Sequence, residues 1–191
     1  AIQSYVNTFP NEVIASYGVA EKIVSWAQLP SVSISSATMA FIAQNMGAKE
    51  YERVQKAIRF SAWISGGITI VFILGIYLAA GKLVSSFNDN INVIRYGTLM
   101  IHHSVFSMFF INLSHIYNGA CRGAGNVKAP MFVAIFGQVI CKYLFVRIGL
   151  SIRYEVYILY YGMAVGCVMA GVLATLYFYL SKWTKENKLR N

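Results

Sequence analysis

The sequence predicts an all-α membrane protein, a multi-spanning helical bundle, on two observations. Four stretches carry no charged residue, Ile23 to Ala48, Phe60 to Gly81, Tyr96 to Cys121 and Val156 to Ser181, each 22 to 26 residues long. At about 1.5 Å of rise per residue, each is long enough to cross a hydrocarbon core of roughly 30 Å as a helix. Composition agrees: 57% of the 191 residues are hydrophobic, 12% are charged, and the mean hydropathy is +0.54, which leaves too little polar surface for a water-soluble domain. A fifth run, Ala129 to Cys141, is apolar on either side of Lys142 and predicts one more span ending near Leu150.

The elements follow in chain order. Residues 1–9 make part of a span, with Gln3 and Asn7 on one face at i and i+4, placed to line a cavity. Asn11 is placed to cap the next helix, with Glu12 at the positive end of its dipole and Gly47 as the left-handed residue that ends it. This span, 12–47, is roughly 53 Å long, more than the bilayer core requires. Pro30 predicts a kink in it, and Ser31, Ser33, Ser35, Ser36 and Thr38 are placed to re-satisfy the groups freed near Trp26. Tyr51 to Arg59 mixes charged and apolar residues and predicts a short interfacial helix ahead of a span over 60–86.

The following span, 94–121, carries Ser104, Ser107, Ser114, His115 and Asn118 at steps of three and four, a stripe expected to face protein or water. His102 and His103 sit at its outer end and are expected to be wetted there. In the next loop Gly123 and Gly125 permit a tight turn, Arg122 and Lys128 anchor helix ends at the headgroups, and Pro130 opens the span 129–150. The last span, 155–181, has Tyr157, Tyr160 and Tyr161 at one end and Tyr177, Tyr179 and Trp183 at the other, an aromatic belt at both interfaces. Between them Gly162, Gly166, Ala170 and Ala174 recur every fourth residue, a stripe suited to close helix packing. Residues 182–191 form a tail.

A net charge of +9 would point to nucleic acid in a soluble protein. Here Lys and Arg lie at span ends and read as topology signals, so no nucleic-acid partner is expected. Ten of them fall in the loops holding Lys49 to Arg59 and Arg122 to Lys128 and in the tail, against four (Lys82, Arg95, Arg147 and Arg153) in the intervening loops. The first set is therefore expected in the cytoplasm, with a cytoplasmic C-terminus; the expected location is the plasma (inner) membrane. The chain begins without Met and without a basic leader, and reads as starting inside a longer protein.

Two loop motifs narrow the reading. Gln44-Asn45-Met46-Gly47-Ala48 followed by Tyr51-Glu52-Arg53, and Arg122-Gly123-Ala124-Gly125-Asn126-Val127-Lys128-Ala129-Pro130, resemble the multidrug and toxic compound extrusion (MATE) family, together with Gln3-Ser4 and Leu29-Pro30. The resemblance covers essentially the whole chain and is narrowest to the C-terminal lobe. It implies one six-helix lobe, with its first helix truncated, of a twelve-helix transporter whose two lobes rock to expose a central cavity to either side. The implied function is secondary active antiport, exporting organic cations in exchange for H+ or Na+. Its partners would be small organic substrates, membrane lipid and the N-terminal lobe, with no cofactor beyond the coupling ion.

Ionisable residues at membrane depth are expensive and are functional candidates by default. Glu21, Lys22 and Lys142 qualify, and Glu21 is the one carboxylate among them. Some eukaryotic-type members of the family carry a glutamate with similar spacing to the proline, which makes Glu21 the first candidate for cation coupling or for pairing a cationic substrate. The competing reading is a Glu21 that pairs with a nearby basic side chain for structural reasons. Lys22 points about 100 degrees away and is not that partner, while Lys142 is expected to snorkel outward. Ser107, Ser114, His115 and Asn118 join Gln3 and Asn7 as cavity-lining candidates. Sodium-coupled and eukaryotic-type members carry an acidic residue eleven positions before the loop arginine, where this chain has Ile111; that departure leaves coupling to Glu21 or to the other lobe.

Cys121, Cys141 and Cys167 stand singly in apolar surroundings and read as packing residues. With no Ser-His-Asp order, metal-binding helix motif or phosphate loop in the sequence, neither an enzyme nor a metal site is expected. Two other readings stay open: a flippase for lipid-linked saccharides from the same superfamily, and a nonfunctional truncated membrane fragment.

Overall fold

Long uncharged runs produce long helices, and the breaks fall where polar and helix-terminating residues cluster. The computed structural model describes residues 2–180. Its helices are α1 (Ile2–Val6), α2 (Asn11–Gly47), α3 (Tyr51–Ser85), α4 (Ile91–Ser104), α5 (Met108–Gly123), α6 (Lys128–Ala134), α7 (Lys142–Ile152) and α8 (Val156–Leu180). A 3-10 turn, Val105–Ser107, joins α4 to α5, and a π-helical segment, Ile135–Cys141, joins α6 to α7. Four continuous helical stretches are long and apolar enough to cross a membrane: Tyr51–Ser85, Ile91–Gly123, Lys128–Ile152 and Val156–Leu180.

The 37-residue α2 is outside that set because it is less apolar. It packs against α3, α4 and α5, and α5 in turn packs against α8. Two apolar clusters fill the interior. One holds Val13, Tyr17, Val84, Met100, Ile101, Val146 and Tyr160 towards the end where Pro10 lies. The other holds Ile42, Val54, Ile58, Ala120, Ala174 and Phe178 towards the Lys49 end. Between them lies a layer of buried Ser31, Ser35, Thr38, Ser65, Thr69, Asn112 and Ser114. Ser65 Oγ donates to Asn112 Oδ1, the hydroxyls of Thr38 and Ser61 pair at 2.7 Å, and Ser31 and Thr69 pair at 3.3 Å. Such hydrogen bonds hold helices together where lipid removes the hydrophobic drive between them.

Several local expectations are corrected. Pro10, not Asn11, occupies the cap position of α2, and no side chain caps that end; Asn11 is already helical. Gly47 is helical too, and the left-handed residue is Lys49 at φ 62°. The hydroxyls of Ser33, Ser36 and Thr38 bond to the carbonyls of Leu29, Val32 and Ile34 rather than to that of Trp26, in a helix that includes Pro30. The segment from Tyr51 to Arg59 is no separate interfacial helix but the first turns of α3, since a Glu52–Lys56 pair at 3.6 Å continues its helical face. Tyr160 leaves the aromatic belt for the core, 1% exposed. His102 bonds the Tyr77 carbonyl at 3.1 Å and His103 packs on Tyr157 and Tyr161, so neither is simply wetted. Trp183 and the tail 182–191 lie outside the described residues. The turn at Gly125 does take a positive φ, 87°.

The small-residue stripe of α8 is buried at all four positions. A Cβ on Gly166 would stand 3.2 Å from Lys142 Cβ, and one on Gly162 would meet Val146 Cγ2. We expect Gly166→Leu to force α8 from α7 and sharply lower the yield of folded protein. Val172→Leu, at a position on the same helix that is 37% exposed, should leave yield unchanged. Fluorescence-detected size-exclusion chromatography of the two variants is the check, and equal tolerance would count against the stripe.

Candidate functional site

The two candidate charges meet. Lys142 Nζ lies 3.7 Å from Glu21 Oε1, with the lysine side chain 19% exposed and the glutamate side chain 43%. Their depths agree independently, because Glu21 stands ten residues after the start of α2 at Asn11 and Lys142 ten before the end of α7 at Ile152. Each is therefore roughly 15 Å along its helix from the same end of the bundle. That end is pinned across the two pairs of helices. Tyr154, in the loop after α7, donates to Thr8 Oγ1 at 2.5 Å and stacks on Phe9 at 4.7 Å between ring centroids.

Lys142 does not snorkel outward as its long stem allows, and two features explain it. It follows directly on the π-helical segment, whose i→i+5 bonding turns the residues after it to a face that a continuous α-helix would not present. Its stem also lies against Gly166 of α8, where the absent side chain leaves room for it. A cation at this depth is costly unless paired, and Glu21 is the partner within reach. Tyr17, one turn before Glu21 on α2, and Cys167 on α8 lie within electrostatic reach of the pair, and Ser107 of the 3-10 turn is in turn close to Cys167. Lys22 points elsewhere, its Nζ 5.9 Å from the centroid of the Phe87 ring.

The other candidates are dispersed. Gln3 Nε2 donates to Asn7 Oδ1 at 2.9 Å on an exposed face of α1. Ser107 is buried and donates to Ser104 O at 2.6 Å. Ser114, His115 and Asn118 begin seven residues further along, roughly 10 Å away along the helix. There Asn118 Nδ2 donates to Ser114 Oγ at 3.0 Å, and Ser35 Oγ donates to the His115 carbonyl at 2.5 Å. Ile111, eleven positions before Arg122, is 2% exposed and packed in the apolar core.

Asn112 is the polar residue the sequence reading passed over. It is 1% exposed, accepts from Ser65, and leaves its Nδ2 without a hydrogen-bond partner. The signal was available, since Asn112 falls one turn after Met108 and about two after Ser104 in a run without charges. A separate cavity of about 760 Å³ opens between α2 and α3 towards the Lys49 end, lined by Ile34, Phe41, Phe60 and Ile64 with Arg53 and Lys56. Its cationic groups make it a poor match for an organic cation.

A family model described as MatE matches residues 1–147. The chain belongs to the MatE family. It is 29% identical over 71% of its length to the "Probable multidrug resistance protein YoeA" of Bacillus subtilis, of which it covers 29%. To the "Probable multidrug resistance protein NorM" of Thermotoga maritima it is 25% identical over 92% of its length, covering 38% of that protein. It thus spans about a third of the length of these MatE relatives. Among solved structures, the MATE transporter ClbM in complex with Rb+ superposes on 99% of the chain with a TM-score of 0.87 at 16% identity, and the chain covers 44% of that protein. The described residues have the fold of one lobe of a MATE transporter, all helix and multi-spanning, and this family is one of transporters rather than enzymes.

Proposed function

We propose that the chain is one lobe of a secondary active antiporter that exports organic cations in exchange for H+ or Na+, and that Glu21 is the group that pairs the cation. The observation that carries this is the Glu21 carboxylate held 3.7 Å from an ammonium at membrane depth, with 43% of its side chain still open. A carboxylate so placed binds a cation when ionised and releases it when protonated. The second lobe of the transporter supplies the other wall of the cavity, and rocking of the lobes gives alternating access. Names of the MatE relatives support small organic substrates, and ClbM, as a complex with Rb+, supports a monovalent cation as ligand. The flippase reading loses support because Lys142, the more buried of the two lysines at membrane depth, is already neutralised and leaves little positive field for a phosphorylated headgroup. Replacing Glu21 by Gln tests the proposal through gradient-driven transport.

The proposed sidedness, with the Lys49 and Arg122 loops on the cytoplasmic side, rests on the ten-to-four basic asymmetry. A cysteine placed at Asn126 should react with an impermeant thiol reagent only from the cytoplasmic side, and one at Asp89 only from outside. Reversed labelling would overturn the topology.

A further inference from the structure

The Glu21 site contains its own competitor. We propose that Lys142 is a tethered cation that occupies the Glu21 carboxylate whenever neither substrate nor coupling ion does, and is displaced when either binds. This rests on the reading of Glu21 as the cation-pairing group.

Four observations support it. At 3.7 Å with a single oxygen, the Lys142–Glu21 contact is a loose ion pair, longer than a charge-assisted hydrogen bond and therefore exchangeable. Burial is unequal: the Lys142 side chain is 19% exposed while that of Glu21 is 43% exposed, which leaves the glutamate the more accessible partner. Lysine is a flexible point charge, suited to swinging aside in a way that the rigid fork of arginine is not. Its backbone adjoins the π-helical segment Ile135–Cys141, a local departure that has a neighbouring α-helical alternative. The groups facing the pair are Tyr17 from α2, Cys167 from α8 and, beyond the latter, Ser107 from the 3-10 turn. All three are neutral in their ordinary forms, so Lys142 is the cation with which a ligand must compete.

The arrangement has a functional consequence. An empty site is electrically neutral, so the carboxylate is not left bare in the low-dielectric interior between one ligand leaving and the next arriving. Affinity for the ligand is lowered by the fraction of time the ammonium is in place.

The test is binding of tetraphenylphosphonium to the purified full-length transporter at a fixed alkaline pH, comparing wild type with Lys142→Met, Lys142→Arg, Glu21→Gln and the double variant Glu21→Gln/Lys142→Met. Lys142→Met should bind the probe about tenfold more tightly, as expected if the ammonium leaves the site free about one tenth of the time. Lys142→Arg should bind no more tightly than wild type, and the gain from Lys142→Met should vanish when Glu21 is already Gln. Lys142→Gln carries the same comparison should Lys142→Met yield no folded protein. Unchanged or weaker binding by the neutral variants, with Glu21→Gln defective, would overturn the competitor and leave a structural ion pair. Wild-type binding by Glu21→Gln would instead overturn the reading of Glu21 itself.

Discussion

Glu21→Gln should abolish the dependence of organic-cation efflux on an ion gradient while leaving the transporter in the membrane. Gln preserves the shape and hydrogen bonding of Glu21 but cannot alternate between a charged form that holds a cation and a protonated form that lets it go. The loss expected is tenfold or more in gradient-driven flux, corresponding to at least about 1.4 kcal/mol of coupling. Replacing Glu21 also leaves Lys142 an uncompensated cation, 19% exposed, so some loss of stability accompanies the variant. Glu21→Gln/Lys142→Met, which removes both charges, should recover that stability without recovering transport. Uptake into everted vesicles at matched expression reads the flux, and thermal denaturation followed by size-exclusion chromatography reads the stability. Unchanged gradient-driven transport by Glu21→Gln would move coupling to the other lobe.

The largest structural effects should come from glycines where two backbones touch. A Cβ on Gly171 of α8 would fall against the carbonyl of Phe110 in α5, and one on Gly137 in the π-helical segment would stand 2.6 Å from Ala170 Cα. Neither obstacle is a side-chain end that can swing away. Alanine at either site should destabilise the bundle by about 1–3 kcal/mol through overpacking. At Gly75 of α3, where nothing lies within 4 Å of the added atom, the same change should stabilise by up to about 1 kcal/mol, because alanine is the better helix former. The opposite signs separate helix contact from helix propensity. If Gly171→Ala and Gly75→Ala shift the thermal midpoint equally, the close packing of α5 on α8 is wrong.

The bundle was largely legible in the sequence because crossing a membrane demands long uncharged runs, and those are visible without knowing any contact. The helices coincide with the uncharged runs, although α1 covers Ile2–Val6 and α3 starts at Tyr51, ahead of its uncharged run. What could not be read depends on backbone register and on neighbours. The 3-10 turn at Val105–Ser107 and the π-helical segment at Ile135–Cys141 have ordinary apolar and hydroxyl residues, since a change in hydrogen-bond register carries no residue signature. The direction of Lys142 was misjudged for that reason: its stem permits snorkelling, and the π-helical register before it and the packing against Gly166 turn it inward. Depth alone picked out Glu21 and Lys142 as separate candidates, but bringing them to 3.7 Å required the packing of α2 on α4 and α5, of those on α8, and of α8 on α7. Tyr160 likewise has the composition of an interfacial residue and the position of a core one, because its face of α8 meets α4.

The most direct test of ion-coupled cation export is made on the full-length transporter reconstituted into liposomes. Vesicles are loaded with a fluorescent organic cation and given, in turn, an inward proton gradient, an inward sodium gradient or neither. The account predicts rapid release of the cation under one of the two gradients, abolished by the matching ionophore and by Glu21→Gln. Release at the same rate with no gradient, or none under either, would contradict it.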